Sequence, residues 1–377
     1  MGKPKTNNSA PATKKAAALR APTVAGVQAK VNRLDQTLVT LLNQRAELML
    51  KIHELAQAAG QPTTILGPYE ETLARVLELN QGPLPARTVR AIFRELMSGT
   101  RSLVRELRIA FLGPLYSYSH LAAIRRFGQA VEFMPVGSIA AVFEEVNRGH
   151  SDFGLVPIEN STDGRVADTL DMFTRLPTRI CGEIELQIHH FLLGRCARTE
   201  VKEVYSRPQA LSQCRNWLAK HLPAARNIEV TSTSTAAQLA AEKPGAAAIA
   251  SLEAGVHYGL NILAERIEDN PGNATRFALI GDQSAPRTGN DKTAMMFQVE
   301  HRPGALAEAM NVFKRNRLNL TWIESFPIPG SKRAYLFFVE MEGHEADPRV
   351  RRAMLALGRK TLRLEILGSF PTVAVSE

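Results

Sequence analysis

Apolar residues recur every three or four positions along the first part of the chain and predict one long amphipathic helix. This spacing places side chains on a single helical face, and the stripe comprises Val27, Val31, Leu34, Leu38, Leu41, Leu48, Ile52 and Leu55. Arg45 falls on the same face. Because a buried guanidinium needs an anion, Arg45 is either part of a structural ion pair or a carboxylate-binding group in a helical bundle.

Two more helical patterns follow, separated by Gly60-Gln61-Pro62 and by Gly82-Pro83-Leu84-Pro85. Three helices of which the first is very long cannot enclose a compact core in one chain, and such bundles are usually completed by dimerisation. Residues 24–106 are therefore predicted to be an all-α domain that serves as an oligomerisation surface. A homodimer or a homotetramer is expected.

From residue 107 onwards, short apolar runs alternate with helical patterns, which predicts an α/β region. The run Phe153-Gly154-Leu155-Val156 leads through Pro157 into Glu159, Asn160 and Ser161, and Pro157 is expected to halt the strand. Ligands of open α/β sheets bind beyond the carboxyl ends of the strands. These three polar residues are the first candidates for substrate contact, and an ordinary polar loop is the alternative.

A second set of α/β units begins after an extended run, residues 184–192, that crosses between two predicted lobes. Polar residues again follow strands, namely Ser206 and the run Thr231 to Thr235. The run precedes a helix, where free amides suit an anion. Near the end of this region, Arg276 stands beside Thr275 at the start of a strand and is the predicted carboxylate anchor.

The last part of the chain reads as strand, helix, two strands, helix and strand. This βαββαβ order after the polar linker 285–292 predicts a ferredoxin-like domain over residues 291–370. The complete chain is thus expected to be a multi-domain α and α/β protein, with an α/β region over 107–283.

Composition narrows the functional classes. Three cysteines far apart, Cys181, Cys196 and Cys214, indicate neither a disulfide framework nor a zinc site, so we expect a reducing, cytoplasmic setting. Five charges of the net +9 lie in an acid-free tail, residues 1–23, which is predicted to be disordered, an organelle transit peptide being the alternative. With only +4 elsewhere, nucleic acid is not an expected partner. No apolar run is long enough for a membrane span.

Four motifs in order make residues 107–283 resemble prephenate dehydratase. They are Gly113-Pro114 with Ser117-Tyr118-Ser119-His120-Leu121, then Val156-Pro157-Ile158-Glu159-Asn160-Ser161, then Ser206-Arg207-Pro208-Gln209-Ala210-Leu211 with Gln213-Cys214, and Asn273-Ala274-Thr275-Arg276-Phe277. The resemblance implies two α/β lobes, like those of periplasmic binding proteins, with a cleft between them. It also implies loss of CO2 and water from prephenate to give phenylpyruvate, without metal or organic cofactor.

The resemblance also assigns roles to residues. Thr275, Glu159 and Asn160 would be catalytic, with Thr275 donating to the departing hydroxyl and Glu159 available to relay the proton. Arg276 would bind a carboxylate, and the other substrate-binding residues would be Phe277, Ser206, Gln213, Ser161 and Ser119. One departure stands in the first loop, where Leu115-Tyr116 replaces the family's small Gly and could narrow the cleft.

The C-terminal region resembles the ACT regulatory domain. Arg302-Pro303-Gly304-Ala305-Leu306 and Glu324-Ser325-Phe326-Pro327 match the family's two phenylalanine-binding segments, which implies that Gly304, Ala305, Leu306, Glu324 and Ser325 bind L-phenylalanine as an allosteric ligand. Phe326 replaces an Arg of the family pattern and removes its donors. An ACT-like dimerisation domain without ligand is the alternative.

The N-terminal helices resemble the chorismate mutase that is fused to this enzyme in bifunctional members. Arg45 falls where that family has a substrate-binding Arg, but Gln28 and Ala56 stand where it has cations. Because the mutase reaction needs several cations around its substrate, an impaired or inactive domain kept for assembly is expected. The alternative is an active mutase with a changed set of active-site residues. For the function of the whole chain, a non-catalytic amino-acid sensor is the alternative from another functional class.

Overall fold

The computed structural model describes residues 2, 23–60, 69–282, 285–328 and 334–372. Apart from Gly2 and Thr23, the predicted tail lies outside the described residues. Within the described part of the chain, none of the helices is both long and apolar enough to cross a membrane.

The N-terminal region consists of helices that leave most of their apolar surface open. Their bounds are Val24–Ala58 (α1), Tyr69–Leu79 (α2) and Ala86–Ser102 (α3). None of the residues of α1 is buried, and its leucines on the predicted stripe, such as Leu34 at 62% and Leu48 at 63%, are largely exposed. Burial of such side chains against another chain is favourable, since removal of apolar surface from water is the dominant driving force for association.

Two α/β lobes follow, as predicted. In chain order, their strands are Arg108–Leu112 (β1), Glu132–Val136 (β2), Phe153–Asn160 (β3), Gly164–Arg165 (β4), Arg179–Gln187 (β5), Phe191–Gly194 (β6), Glu203–Ser206 (β7), Arg226–Glu229 (β8), Ala246–Ala250 (β9), Asn261–Ala264 (β10) and Ala274–Gly281 (β11). The helices are Tyr118–Phe127 (α4), Ile139–Asn147 (α5), Ala167–Arg175 (α6), Pro208–Gln213 (α7), Arg215–His221 (α8), Thr233–Glu242 (α9) and Leu252–His257 (α10).

The first lobe is built on the sheet order β2-β1-β3-β11-β5, with β4 paired to β3, and the second on β10-β6-β9-β7-β8. Strand β11 comes last in sequence and returns to the first lobe, where it lies antiparallel between β3 and β5. This return brings Thr275 directly opposite Asn160 in the β3–β11 ladder.

Contrary to the sequence-based expectation, β3 does not stop at Pro157. It continues to Asn160, and Pro157 itself is paired with Phe277. The register shifts between Arg276, which pairs with Glu159, and Phe277, which pairs with Pro157, so Ile158 is the extra residue of a bulge in β3. The strand therefore extends beyond the proline and carries Asn160 to the edge of the cleft.

The C-terminal region has the predicted βαββαβ order. Its elements are Asp291–Gln298 (β12), Ala305–Arg315 (α11), Leu320–Pro327 (β13), Tyr335–Glu342 (β14), Pro348–Gly358 (α12) and Arg363–Pro371 (β15). The strands form one antiparallel sheet in the order β13-β14-β12-β15, the ferredoxin-like arrangement.

This region shares a hydrophobic core with the first lobe. Phe326, Leu336, Phe338 and Phe370 belong to the same buried cluster as residues of α5, α6 and β3. The other face of the C-terminal sheet packs on α11 and α12. One face of the first lobe's sheet is therefore covered by the C-terminal domain, and the cleft lies at the carboxyl ends of its strands.

Candidate active site

The two lobes enclose a cavity of about 1270 Å³. In the first lobe, its walls are formed by the ends of β1, β2 and β3 and the loops that follow them. In the second lobe, they are formed by residues near the starts of α7 and α9. This is the position at which α/β sheets bind ligands.

Three helices begin at the cavity wall. The N-cap residues Ser117, Ser138 and Ser232 all line the cavity, and each side chain accepts a hydrogen bond from a backbone N–H of the first turn of α4, α5 or α9. Helix N-termini carry partial positive charge and favour anions. The cavity is therefore suited to a substrate with more than one negative charge.

Two arginines also line the cavity, Arg165 on β4 and Arg207 before α7. Arg165 is occupied by the C-terminal domain, because its Nη1 donates to Glu324 Oε2 at 2.8 Å and to the Ser325 carbonyl at 2.9 Å. Arg207 is exposed. Of these two cations, Arg207 is therefore the one that is available to bind a substrate carboxylate.

The hydroxyl of Thr275 is fixed by Asn160. Asn160 Nδ2 donates to Thr275 Oγ1 at 2.8 Å, and Asn160 Oδ1 accepts from the backbone N–H groups of Thr162 and Asp163. Both Thr275 and Asn160 line the cavity. Because Thr275 Oγ1 accepts this bond and its hydrogen has no acceptor among the described residues, the hydroxyl is set to donate to a ligand.

A hydrogen-bonded network extends from this pair into the second lobe. Asn160 Nδ2 donates to Asn273 Oδ1 at 3.0 Å, Asn273 Nδ2 donates to Gln213 Oε1 at 2.9 Å, and His190 Nε2 lies 2.9 Å from the same Gln213 oxygen. Since that oxygen is an acceptor, His190 carries its proton on Nε2. Burial lowers the pKa of His190 and keeps the ring neutral.

Tyr118 stands at the end of this network. Its hydroxyl donates to the His189 carbonyl at 2.7 Å and lies 3.1 Å from His190 Nδ1. Burial raises the pKa of Tyr118, so the phenol stays protonated. The network is thus built from neutral groups and is suited to orienting Asn160 and Thr275.

The loop after β1 joins the lobes through Tyr116. Its ring stacks on His257 of the second lobe at 3.9 Å between centroids and meets His120 edge-on at 5.6 Å. Tyr116 adopts φ 64°, a left-handed conformation that favours glycine. The position where the resembling family has Gly therefore keeps a glycine-like backbone here, while the ring lines the cavity, as the sequence suggested.

The structure brings part of the predicted site together. Thr275, Asn160, Phe277, Gln213 and Ser119 all line the cavity. Gln213 is engaged by its neighbours, because its Nε2 donates to Asp163 Oδ2 at 3.1 Å while its Oε1 is bonded as described above. Its geometry fits a residue that holds Asn273 better than one that binds the substrate directly.

Arg276 and Glu159 are placed on the opposite face of the sheet, so their predicted roles at the substrate need correction. Successive side chains of a strand point to opposite faces, and Arg276 therefore turns away from the face of Thr275. Its guanidinium contacts Glu159 at 2.9 Å, Glu183 at 3.0 Å and Glu340 at 2.8 Å. Strand alternation thus separates Arg276 from Thr275 and Phe277, its two neighbours in the same motif, which line the cavity.

Ser206 and Ser161 also face protein groups. Ser206 is fully buried, and its Oγ donates to the Ile249 carbonyl at 2.7 Å. Ser161 Oγ donates to the Gly272 carbonyl and accepts from the Ala274 N–H at 2.9 Å. Both hydroxyls tie strands and loops together, and neither lines the cavity.

The predicted regulatory residues lie on two elements of the C-terminal domain. Gly304, at φ 83°, precedes α11, in which Ala305 and Leu306 are the first residues. Glu324 and Ser325 lie on the edge strand β13 and contact Arg165. Phe326, which replaces the family's Arg, is buried in the core shared with the first lobe.

In the helical domain, Arg45 has a cationic neighbour. Its pKa is lowered by partial burial and by the nearby charge of Arg75 on α2. Two guanidinium groups close together are favoured when an anion lies between them. Arg75 was not singled out in the sequence, although it lies in a recognisable helix.

Sequence reasoning also missed Arg207, Asn273 and His190. Arg207 and Asn273 stood within quoted motifs, so their place beside strand ends was a usable signal. His190 gave no local signal, because its role depends on Tyr118 and Gln213, both far away in sequence.

Comparisons with known proteins decide the family. The model of the family described as "Prephenate dehydratase" matches residues 109–285, and that of "Chorismate mutase type II" matches residues 27–105. A protein of Stutzerimonas stutzeri named bifunctional chorismate mutase/prephenate dehydratase is 39% identical and aligns over 92% of this chain and 96% of its own length. The chain belongs to this bifunctional chorismate mutase/prephenate dehydratase family. The resemblance inferred for the first two domains is confirmed.

Two solved structures each cover 71% of this chain. A prephenate dehydratase from Arthrobacter aurescens, determined in complex with L-Phe, is 33% identical, with a TM-score of 0.66 over 71% of this chain and 90% of that chain. A structure described as a novel type of quorum quenching acylase is 29% identical, with a TM-score of 0.64 over 71% of this chain and 98% of that one. Because the same fold carries both descriptions, the fold alone does not determine the reaction, which depends on the residues of the site.

Proposed function

We propose that this chain is a prephenate dehydratase that converts prephenate to phenylpyruvate, CO2 and water. The observation that carries the proposal is the hydroxyl of Thr275 at the cavity wall, which accepts a hydrogen bond from Asn160 and is left able to donate one to a ligand. The family membership supports the same reaction. The substrate is a dicarboxylate, in keeping with a cavity bounded by three helix N-termini and an exposed arginine.

In the proposed reaction, the bond between the ring and its carboxylate breaks and CO2 leaves. The electron pair passes through the ring, which becomes aromatic, and the ring hydroxyl departs with a proton as water. Thr275 donates a hydrogen bond to the departing oxygen, and Asn160 holds Thr275 in position. A Thr hydroxyl is a poor acid, so Thr275 stabilises the charge that develops on the departing oxygen by hydrogen bonding. The proton that completes the departing water comes from a donor other than Thr275.

Arg207 is proposed to bind the carboxylate that remains in the product. The ring carboxylate loses its charge as CO2 forms, so a strong cation at that position would stabilise the ground state more than the transition state. A cation on the retained carboxylate binds the ground and transition states alike. Arg207 is therefore expected to affect KM more than kcat.

Incubation of the purified full chain with prephenate tests the proposal, with phenylpyruvate measured over time. Formation of phenylpyruvate above the uncatalysed rate is expected. Its absence would refute the assignment, and release of a fatty acid from an N-acyl substrate instead would favour the chemistry of the acylase-like structure.

Chorismate mutase activity in the helical domain is a second candidate function. Arg45 beside Arg75 supports it, since the mutase reaction needs cations near the substrate, and the curated relative is named as bifunctional. We propose that such a site is completed by a second copy of the chain, because α1 has no buried residue by itself. Incubation with chorismate, followed by detection of prephenate, decides between this activity and a purely structural domain.

Regulation by L-phenylalanine is proposed for the C-terminal domain. The domain has the ferredoxin-like topology, and the A. aurescens structure contains L-Phe. Calorimetric titration with L-phenylalanine is expected to show binding in the millimolar range or tighter, and absence of heat would leave an ACT-like structural domain. A cytoplasmic location is proposed with the biosynthetic role.

A further inference from the structure

A partly buried cluster of charges lies behind the candidate active site. Arg276 stands at its centre and bonds with Glu159 of β3, Glu183 of β5 and Glu340 of β14, while Lys292 bonds with Glu183 at 2.8 Å. The cluster joins three neighbouring strands of the first lobe to the C-terminal domain. Its members lie outside the cavity wall.

The cluster is one residue away from the catalytic pair on both strands. Thr275 is opposite Asn160 in the β3–β11 ladder, and Arg276 is opposite Glu159. The first pair is bonded on the cleft side and the second on the side of the C-terminal domain. A displacement of Arg276 therefore displaces Thr275 through their shared peptide unit.

Glu340 is the part of this cluster that belongs to the C-terminal domain. Its side chain is only 2% exposed, and both of its oxygens lie 2.8 Å from Arg276 Nη2. Burial raises the pKa of Glu340 and alone would lower that of Arg276, but the carboxylates of Glu340 and Glu183 leave the pKa of Arg276 raised. A buried charge is tolerated only with its partner present, so the pair constrains the positions of the two domains.

A second contact reaches the same strands. Arg165 of β4, opposite Glu159 in the ladder, donates to Glu324 and to the Ser325 carbonyl. Glu324 and Ser325 belong to the segment for which the family resemblance implies phenylalanine binding. The C-terminal domain thus holds β11 through Glu340 and the β3–β4 hairpin through Glu324.

We infer that Arg276 is a positioning residue that fixes Thr275 and Asn160 from behind, and that Glu340 makes this positioning depend on the C-terminal domain. The inference rests on the proposed dehydratase function. It assigns a role to Arg276 that does not involve contact with the substrate.

Three substitutions at the same domain interface test the inference in the full chain, two at Glu340 and a matched control at Glu345. Glu340→Met has a similar volume but no acceptor for Arg276, and kcat for prephenate is expected to fall about tenfold to hundredfold with KM changed less than about threefold. Glu340→Gln keeps one acceptor and is expected to restore most of kcat. Glu345→Met removes one partner of Arg179, a residue that pairs with Gly281 at the far end of β11, and is expected to leave kcat unchanged.

Hydrogen–deuterium exchange gives a readout that does not depend on turnover. Glu340→Met is expected to accelerate exchange in peptides spanning 158–163 and 273–277. In the wild type, hydrogen bonds protect amides in both peptides: the Ser161 N–H donates to the Ala274 carbonyl, the Ala274 N–H to Ser161 Oγ, and the Thr162 N–H to Asn160 Oδ1. Glu345→Met is expected to leave them unchanged. If the wild type fails to convert prephenate while exchange responds as stated, the proposed function fails and the positioning role stands.

Arg276→Lys provides a second variant in case Glu340→Met does not fold, since a lysine keeps the charge but loses the planar fork that bridges several carboxylates. A fall in kcat similar to that of Glu340→Met is expected. Unchanged exchange in both peptides, or equal losses of kcat in Glu340→Met and Glu345→Met, would overturn the inference.

Discussion

The helical domain and the dehydratase domain of this chain differ in how much of a site one copy contains. The cleft between the two lobes is enclosed by one chain, with Thr275 and Asn160 bonded to each other and to a network that spans both lobes. In contrast, helix α1 leaves its apolar stripe exposed and buries none of its residues. We therefore expect the helical domain, unlike the dehydratase domain, to need a second copy of the chain to complete a site.

The comparison also has a chemical side. Aromatisation supplies the driving force for dehydration, so a few fixed polar groups in the cleft suffice. A mutase site needs cations around its substrate, and the described part of the helical domain offers Arg45 and Arg75 near one another. We therefore expect substitutions in the two regions to separate cleanly in their effects.

The largest effect is expected from Thr275→Ala. Removal of a hydrogen-bond donor to the departing oxygen should lower kcat for prephenate at least about a hundredfold. Thr174→Ala removes a hydroxyl that bonds the Asp171 carbonyl far from the cleft and serves as the control. Both variants should unfold near the wild-type temperature, and a wild-type rate for Thr275→Ala would show that its role is misassigned.

Assembly is the next test of the comparison. Leu34→Glu combined with Leu38→Glu places two charges on the apolar stripe, and a proposed dimer contact there should weaken at least about a hundredfold, about 2.7 kcal/mol. Sedimentation velocity would measure the change, with Gln36→Glu as the control on the same exposed helix. Any mutase activity should disappear with the dimer. An unchanged oligomeric state would contradict the proposed role of α1.

Acidification should weaken the dehydratase domain through His120. Burial lowers the pKa of His120 from 6.5 to about 4, so the unfolded state binds the proton more readily. The stabilisation is fully present above the unfolded pKa and is lost as the pH falls from there towards the folded pKa. The loss at about pH 5 relative to about pH 7 should be about 2 kcal/mol from this group. Urea unfolding of wild type and His120→Asn at both pH values measures it, and equal pH slopes would contradict the assignment.

The smallest effect is expected from Arg207→Gln. Loss of one cation from the carboxylate site should raise KM for prephenate about tenfold, about 1.4 kcal/mol, with little change in kcat. Arg198→Gln changes another exposed arginine that does not line the cavity. If Arg207→Gln lowered kcat as strongly as Thr275→Ala, its contact would involve the reacting part of the substrate.

Much of this architecture was predictable from the sequence because its signals are local. The three-and-four spacing of α1, the alternation of strands and helices, and the βαββαβ order all follow from side-chain periodicity. Pro157 gave a wrong end for β3, since the bulge that lets β3 continue past the proline depends on its pairing with β11 across the sheet. The family assignment drew on four motifs that together carried more information than any one of them.

The site was predictable only in part, because motif residues do not all face the same way. Thr275 and Asn160 reach the cavity, whereas their chain neighbours Arg276 and Glu159 meet on the other side of the sheet. Strand alternation could have separated these pairs from sequence alone. The contact of Arg276 with Glu340 could not be anticipated, since it requires knowledge of how the C-terminal domain packs.

The most direct test of the central claim is the steady-state rate of phenylpyruvate formation from prephenate by the full-length chain, with Thr275→Ala assayed beside it. The account predicts turnover by the wild type and a loss of at least about a hundredfold in the variant. Equal rates for the two proteins, or no phenylpyruvate above the uncatalysed background, would contradict it.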